Sequence, residues 1–502
     1  MRFLYVDIDT LRSDHLGCYG YHRATSPNID ALAAESVRFE NVYASDVPCL
    51  PSRTALITGI FGIRNGVVNH GGVAAELRPE GPDRSFVSKF AVNSWAARFY
   101  AAGWRTASIS SFPLRHSANW WNHGFVEAMN VMRGAGGERA DEVEPHALDW
   151  LDRNGRDDDW FLHVHLWDPH LPYNTPEEYG NPFESDRIPA WHTEEVRARL
   201  WDMPGPHSPQ EPWGFWLDEW GEPPPRQPWQ LASMDDVKRC FDGYDVGVRY
   251  ADDTVGRLLD KLDSLGVLDD TAVLVSSDHG EAFGELGVYA DHQAADESTC
   301  HIPGILRWPD LEARSYSGLH YHLDIAATVV DLAGLETPED WWDGVSVAPE
   351  LRRGEEAGRD HLVVSQGAWS CQRGVRWDDF LYLRTWHDGY HCWPEEMLFD
   401  IAGDVHQEHN LAPAREDVVA EGAARLEEWT GAQLERSFSP VDPMQIVIDE
   451  GGPFHTRGHL PRYLDRLRDT GRARWADDLA DRHPDEASTD VAPSMVRQRA
   501  SE

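Results

Sequence analysis

Short apolar runs that end in polar residues alternate along this chain with longer stretches of helical spacing. Residues 3–8 (FLYVDI) read as a buried strand with an acidic end. Ser26 and Pro27 open a helix that runs to residue 34, since proline has no N–H to lose in a first turn. A further helix is predicted over 52–57, and 86–102 keeps helical periodicity until Gly103 stops it before a strand at 106–110. Helix 145–153 then leads to strand 160–166, and a long helix over about 237–265 leads to strand 272–276. A strand at 302–307 and a helix at 323–333 complete the alternation. This order predicts a doubly wound α/β sheet. Such sheets place ligands beyond the carboxyl ends of their strands, so the polar residues after 3–8, 160–166 and 272–276 are expected to converge.

Two stretches break the pattern. Residues 175–233 are rich in proline and tryptophan (Trp191, Trp201, Trp213, Trp216, Trp220, Trp229) with little periodicity, and read as an insertion or lid. From about 359 the chain turns to short β runs, VVSQG, RGVRW, FLYLRTW and MLFDI, followed by a helix over 416–436. The predicted organisation is an α/β domain over 1–358 carrying the insertion, a small α+β subdomain with an antiparallel sheet over 359–440, and a tail over 441–502. The tail is Arg/Asp-rich and partly helical, and reads as an oligomerisation arm or a solvated end.

Composition narrows the function classes. A hydrophobic content of 41% with 22 tryptophans excludes a disordered chain, and a net charge of −41 argues against nucleic acid or an anionic membrane as partner. The cysteines (18, 49, 240, 300, 371, 392) are scattered, with no C-x-x-C pair. The chain opens straight into its first strand without a basic-then-apolar leader, and no stretch is long enough to span a bilayer, so a cytoplasmic protein is expected.

Candidate chemistry sits at the strand ends. In VPCLPSRTALITG (47–59), Cys49 precedes a helix whose first turn suits Pro51, which places position 49 where free N–H groups favour an anion. Asp9 ends the first strand and is a candidate hard-cation ligand. Asp7, two residues earlier on the same face, is either a second carboxylate there or a buried structural residue. Asp278 and His279 follow strand 272–276 and, with Asp9, offer a divalent-cation site with an open face. Asp168 and His170 follow strand 160–166, where an imidazole can protonate a leaving group. His292 is a second candidate for holding an anionic oxygen, whereas His163 and His165 read as core histidines.

These pieces together resemble the type I sulfatases of the alkaline-phosphatase superfamily. The resemblance runs over about 1–412 and rests on D-T-L-R-x-D-x-L-G-C-Y-G, C-L-P-S-R, D-P-H-x-P-Y, S-D-H-G-E, D-G-V-S-V-x-P and F-D-I-A-G-D-V-H-Q-E-H-N-L-A. It implies a large mixed sheet sandwiched by helices, with a small C-terminal antiparallel sheet. It also implies that a maturation enzyme oxidises Cys49 to formylglycine. Asp9, Asp278, His279 and the modified Cys49 would then hold a divalent cation, Arg53 would orient the formylglycine, and His170 and His292 would contact the sulfate group. An aldehyde hydrate carries two hydroxyls on one carbon, so one can attack sulfur and the other can expel sulfate.

The chain also departs from the family pattern. Calcium is the first choice of ion; Asp9 is followed by Thr10 rather than a second acid, which takes one carboxylate from the site, weakens the case for calcium and opens manganese or magnesium. Asp291-His292 stands where a lysine is usual, and Arg115 and His116 are the nearest substitutes for a missing Lys-x-His, with His70 a further candidate for substrate binding. Paired tryptophans at 120–121 and 341–342, with the Trp-rich insertion, suit stacking on sugar rings. The expected reaction is hydrolysis of a sulfate monoester on a small molecule or oligosaccharide, favouring a sulfated carbohydrate. The alternatives are a phosphonate monoester or phosphodiester hydrolase using the same groups, and a catalytically silent binding protein.

Overall fold

The computed structural model describes residues 1–131, 137–216, 224–338 and 340–488; Trp220 and the tail beyond 488 lie outside them. The described strands are β1 (Arg2–Ile8), β2 (Val37–Tyr43), β3 (Asp46–Val47), β4 (Arg105–Ile109), β5 (Glu127–Met129), β6 (Trp160–Leu166) and β7 (Thr271–Ser276). They continue with β8 (Ala282–Phe283), β9 (Tyr289–Asp291), β10 (His301–Arg307), β11 (Arg314–Tyr321), β12 (Leu362–Gln366), β13 (Cys371–Trp377), β14 (Phe380–His387) and β15 (Glu396–Asp400).

The large sheet has the order β11-β2-β10-β7-β1-β6-β4-β5. β1 lies between β6 and β7, parallel to both, so Asp9 and the residues that follow β6 and β7 emerge at one edge. β10 runs antiparallel to β7 and β2, which makes the sheet mixed. β1 is buried on both faces. Phe3 and Tyr5 pack with Trp95, Phe99 and Phe161 on one side, while Leu4, Val6 and Ile8 pack with Trp150, Leu162 and the helix Met234–Ser264 on the other. Each such side chain contributes roughly 1.5–3 kcal/mol of burial, which explains why the run reads as continuously apolar.

A second sheet has the order β15-β14-β13-β12-β3. Its β12 pairs in parallel with β3, just before Cys49. The C-terminal sheet is therefore stitched to the segment that enters the Cys49 helix.

Several local predictions are corrected. The helix read over 86–102 is two pieces, Lys89–Val92 and Trp95–Ala101. Ser94 breaks it because its hydroxyl accepts from the Ala97 N–H and caps a new start. The helix read over 145–153 runs over Ala140–Asn154, with Pro145 inside it. β2 and β11 went unread: charged and polar residues on their less buried faces hide the alternation.

The stretch read as a tail folds back onto the insertion. Leu460, Tyr463, Leu464 and Leu467 of helix Leu460–Asp469 are buried beside Tyr390. In the insertion, Glu211 (1% exposed) accepts from Arg466 at 2.7 Å and pairs through both oxygens with Arg472 (2% exposed). Glu211→Ala leaves the Arg472 charge buried without that carboxylate and is expected to cost about 3 kcal/mol. Denaturant unfolding and limited proteolysis check this; an unchanged midpoint with unchanged cleavage after residue 440 would refute it. Among the described residues no helix is long and apolar enough to cross a membrane.

Candidate active site

Cys49 is the first residue of the helix Cys49–Thr58, and every residue of that helix is buried. The helix is tied down at both ends. Ser52 Oγ donates to the Asp278 carbonyl at 2.7 Å, which locks its first turn to the end of β7. Gly59 closes it at φ +73°, where a Cβ would lie 2.1 Å from the Trp342 ring, so only glycine fits.

One turn on from Cys49, Arg53 points into the sheet edge. Its Nε donates to Asp7 at 2.8 Å, and one terminal nitrogen donates to Asp9 at 2.9 Å and Asp278 at 2.6 Å. The other terminal nitrogen meets His165 Nε2 at 2.8 Å. Asp7 is thus a partner of Arg53, and His163, read as a core residue, bonds Ser108 at 2.9 Å. Burial works against the charge on Asp9, but Arg53 overrides it and holds that carboxyl well below its usual range. Burial, together with the neighbouring Asp9 and Asp7, pushes Asp278 well up despite Arg53. Three buried carboxylates around one guanidinium leave negative charge over.

Asp9, Cys49, Asp278 and His279 present ligand atoms that all lie within 4.8 Å of one another. His279 Nδ1 faces the Gly280 carbonyl at 2.9 Å and so carries the proton, which turns the Nε2 lone pair toward Cys49 Sγ at 3.1 Å. Asp9 Oδ1 is buried with no hydrogen-bond partner among the described residues. The excess negative charge, the oriented imidazole and the orphaned oxygen all fit a divalent cation.

In front of Cys49 lies a cavity of about 70 Å³. His70, Arg115, His170 and His292 line it, with Leu171, His207, Trp213, Asp291, Trp369 and His455. Burial keeps His170 neutral, pushed down to about 4. His292 is raised to about 9: burial opposes the charge, but Asp291 and Glu281, the latter 3.1 Å from Nδ1, outweigh it. Arg115 sits 4.8 Å over the Trp167 ring, and His70 Nδ1 meets His455 Nε2 at 2.8 Å.

Two residues singled out in the sequence, Asp168, a further candidate for substrate binding, and His116, do not line this cavity. Asp168 accepts from the Ala140 N–H at 2.7 Å and Thr175 Oγ1 at 3.2 Å, so it caps the helix Ala140–Asn154 instead, and burial raises it to about 7. His116 is half-buried beside His70, their rings 5.0 Å apart. Conversely, His207 and Trp213 come from the insertion, and Trp369 and His455 from beyond residue 358. No spacing in the sequence links them to Cys49; only the tryptophan richness of 175–233 hinted at Trp213.

A family model described as Sulfatase matches residues 2–335. Choline-sulfatase of Rhizobium meliloti (strain 1021) is 27% identical over 433 residues, covering 77% of this chain and 77% of the relative. N-acetylglucosamine-6-O-sulfatase of Bacteroides thetaiotaomicron is 22% identical over 477 residues, covering 82% of each chain. Among solved structures, a protein in complex with its substrate D-glucosamine-2-N,6-O-disulfate has a TM-score of 0.67 at 20% identity, covering 88% of this chain and 99% of that one. The phosphonate monoester hydrolase of Agrobacterium radiobacter has a TM-score of 0.65 at 19% identity, covering 86% and 96%. At these identities the solved structures establish the fold.

Proposed function

Since this chain belongs to the sulfatase family, we propose that it hydrolyses a sulfate monoester with Cys49, matured to formylglycine, as its nucleophilic position. The observation that carries this is one placement: Cys49 at the cavity floor, with cation donors behind it and Arg115, His170 and His292 in front. Asp9, Asp278 and His279 would hold the cation. When bound, cation and formylglycine supply a polarising charge on the sulfate oxygens and a hydroxyl nucleophile.

The remaining work falls to the chain's own residues. Arg53 fixes Asp9 and Asp278 in register and offsets their charge. The free N–H groups at the start of the Cys49 helix face the developing charge on the transferred group. Arg115 holds a sulfate oxygen as a permanent cation. His292, held protonated by Asp291 and Glu281, carries the proton that the leaving oxygen needs, while His170 hydrogen-bonds the sulfate as a neutral ring.

A sulfated carbohydrate is the favoured substrate class. Trp213 and Trp369 give the cavity flat apolar faces beside polar groups, and a relative and a solved neighbour are named for sulfated amino sugars. The second reading is a phosphonate monoester hydrolase: the resembling hydrolases of that kind share a single acid at the first motif, as Asp9-Thr10 does here, and one is a structural neighbour.

A paired assay separates the two, using nitrophenyl sulfate and the matching phenylphosphonate monoester. Faster sulfate turnover is expected; faster phosphonate turnover would move the assignment. Chelator treatment is expected to abolish turnover and lower the melting temperature, because an ion bound only by the native state stabilises it. Restoration by Ca²⁺, Mn²⁺ or Mg²⁺ identifies the ion, and full activity after complete metal removal would overturn the cation site.

A further inference from the structure

His483, Asp388 and Glu486 form a charge cluster where the C-terminal helices meet the end of β14. His483 closes the helix Ala473–Arg482, its N–H donating to the Leu479 carbonyl at 2.9 Å, and a helix C-terminus favours positive charge. Both of its ring nitrogens face carboxylates. Nε2 lies 2.9 Å from Asp388 Oδ1, and Nδ1 lies 3.2 Å from Glu486 Oε1. A carboxylate only accepts, so these contacts call for a proton on each nitrogen and make the ring a cation.

The groups around the ring fit the same reading. His387, its ring 4.6 Å away, accepts the Gly389 N–H on Nδ1 at 3.1 Å, so its own proton sits on Nε2 and donates to Glu486 Oε1 at 3.1 Å. That tautomer turns no lone pair toward a metal ion, although His387, His483 and Glu486 bring ligand atoms within 4.8 Å of one another. The Tyr390 hydroxyl donates to Glu486 Oε2 at 2.6 Å, with its ring edge-on to His483, and Arg482 adds a second cation 3.6 Å from Asp388 Oδ2. Burial works against the charge on His483, but Asp388 and Glu486 outweigh it and raise the ring to about 9. Burial also opposes the charges on Asp388 and Glu486, yet the neighbouring histidines hold both below the usual carboxylate range.

The loop that this cluster grips is strained. Tyr390 at φ +70° and Cys392 at φ +58° are left-handed without being glycine, which persists only where the surroundings enforce it. On its other side the same loop braces the wall of the cavity: His391 Nε2 donates to Gln293 Oε1 at 2.6 Å, next to His292.

We propose that His483 is a proton-held latch: charged, it ties the C-terminal helix Ala473–Arg482 to loop 388–392, and loss of its proton releases that helix. A free imidazole titrates near about 6.5. The latch is therefore at full strength below that pH and is lost as pH rises through about 9. It goes beyond the sulfatase reading and does not depend on it.

The test follows tryptic cleavage within 473–482 in the full chain, for wild type and His483→Gln, from about pH 6.5 to about pH 9.5. The two rates are taken as a ratio at each pH, so that the protease's own pH dependence cancels. Cleavage is read rather than turnover, because loss of the His292 proton would lower activity over the same range. When closing is fast, cleavage tracks the population of the open form. The variant-to-wild-type ratio is expected to exceed about tenfold at about pH 6.5 and to fall toward one by about pH 9.5, as the wild type opens. Glu486→Gln keeps the shape but removes one of the two carboxylates. It is expected to move the opening to lower pH, and it serves as the test if the His483 variant does not fold. A ratio that stays flat across the range, or a Glu486→Gln protein that opens with the wild-type pH profile, would overturn the proposal.

Discussion

Cys49→Ala is expected to lower kcat/KM for nitrophenyl sulfate by at least about four orders of magnitude, the scale seen when a covalent nucleophile is removed. The fold should survive the change. Cys49 is 1% exposed at the start of a helix held by the Ser52–Asp278 bond and closed at Gly59, so loss of one sulfur leaves a small void and intact capping. Far-UV circular dichroism and the melting temperature therefore serve as controls. The unmodified thiol is a poor nucleophile here, because burial and then the charges of Asp9 and Asp278 push it well above its ordinary range. A peptide mass at position 49 should show aldehyde in active protein. Full activity with an intact thiol, or activity that persists in Cys49→Ala, would refute the formylglycine role.

Arg53→Met should have the largest effect on stability. The guanidinium is fully buried, lies 5.1 Å over the Phe112 ring, and bonds Asp7, Asp9 and Asp278 at once. Methionine fills part of the space but leaves three buried carboxylates without their cation, a change expected to cost about 3–5 kcal/mol. Activity should fall as well, since Asp9 and Asp278 lose the group that spaces them. Because a bound divalent cation would offset part of the same charge, added metal is expected to raise the melting temperature of Arg53→Met more than that of wild type. Equal metal-induced shifts would separate Arg53 from the cation site, and an unchanged denaturation midpoint would show that these carboxylates are neutral in the folded apo protein.

The parts of the site that were legible are those carried by contiguous pattern. Asp9, Cys49 and Asp278-His279 each end or begin an element whose period can be counted, and parallel strands deliver such residues to one edge. Asp168 shows the limit of that logic. It too follows a core strand, yet its carboxylate turns to a helix N-terminus, because unsatisfied N–H groups there compete for it. The break at Ser94 was hidden for a related reason: a capping serine is as common in turns as in helices, and only the hydrogen bond to Ala97 decides.

By itself, then, the sequence determined the alternating α/β architecture and the convergence of polar residues at the strand ends, since both follow from local periodicity and the direction of parallel strands. It also determined the sulfatase family, through motifs that survive in contiguous residues. Tertiary structure alone decided the outer wall of the cavity. His207 and Trp213 arrive from the insertion and Trp369 and His455 from the C-terminal region, through the His207–Asp291 ion pair, ring contacts of Trp369 with His207 and His455, and the buried Glu211–Arg472 pair, all between residues far apart in the chain. Contacts of that kind have no period, because they are chosen by the shape and charge of surfaces that exist only once both segments have folded.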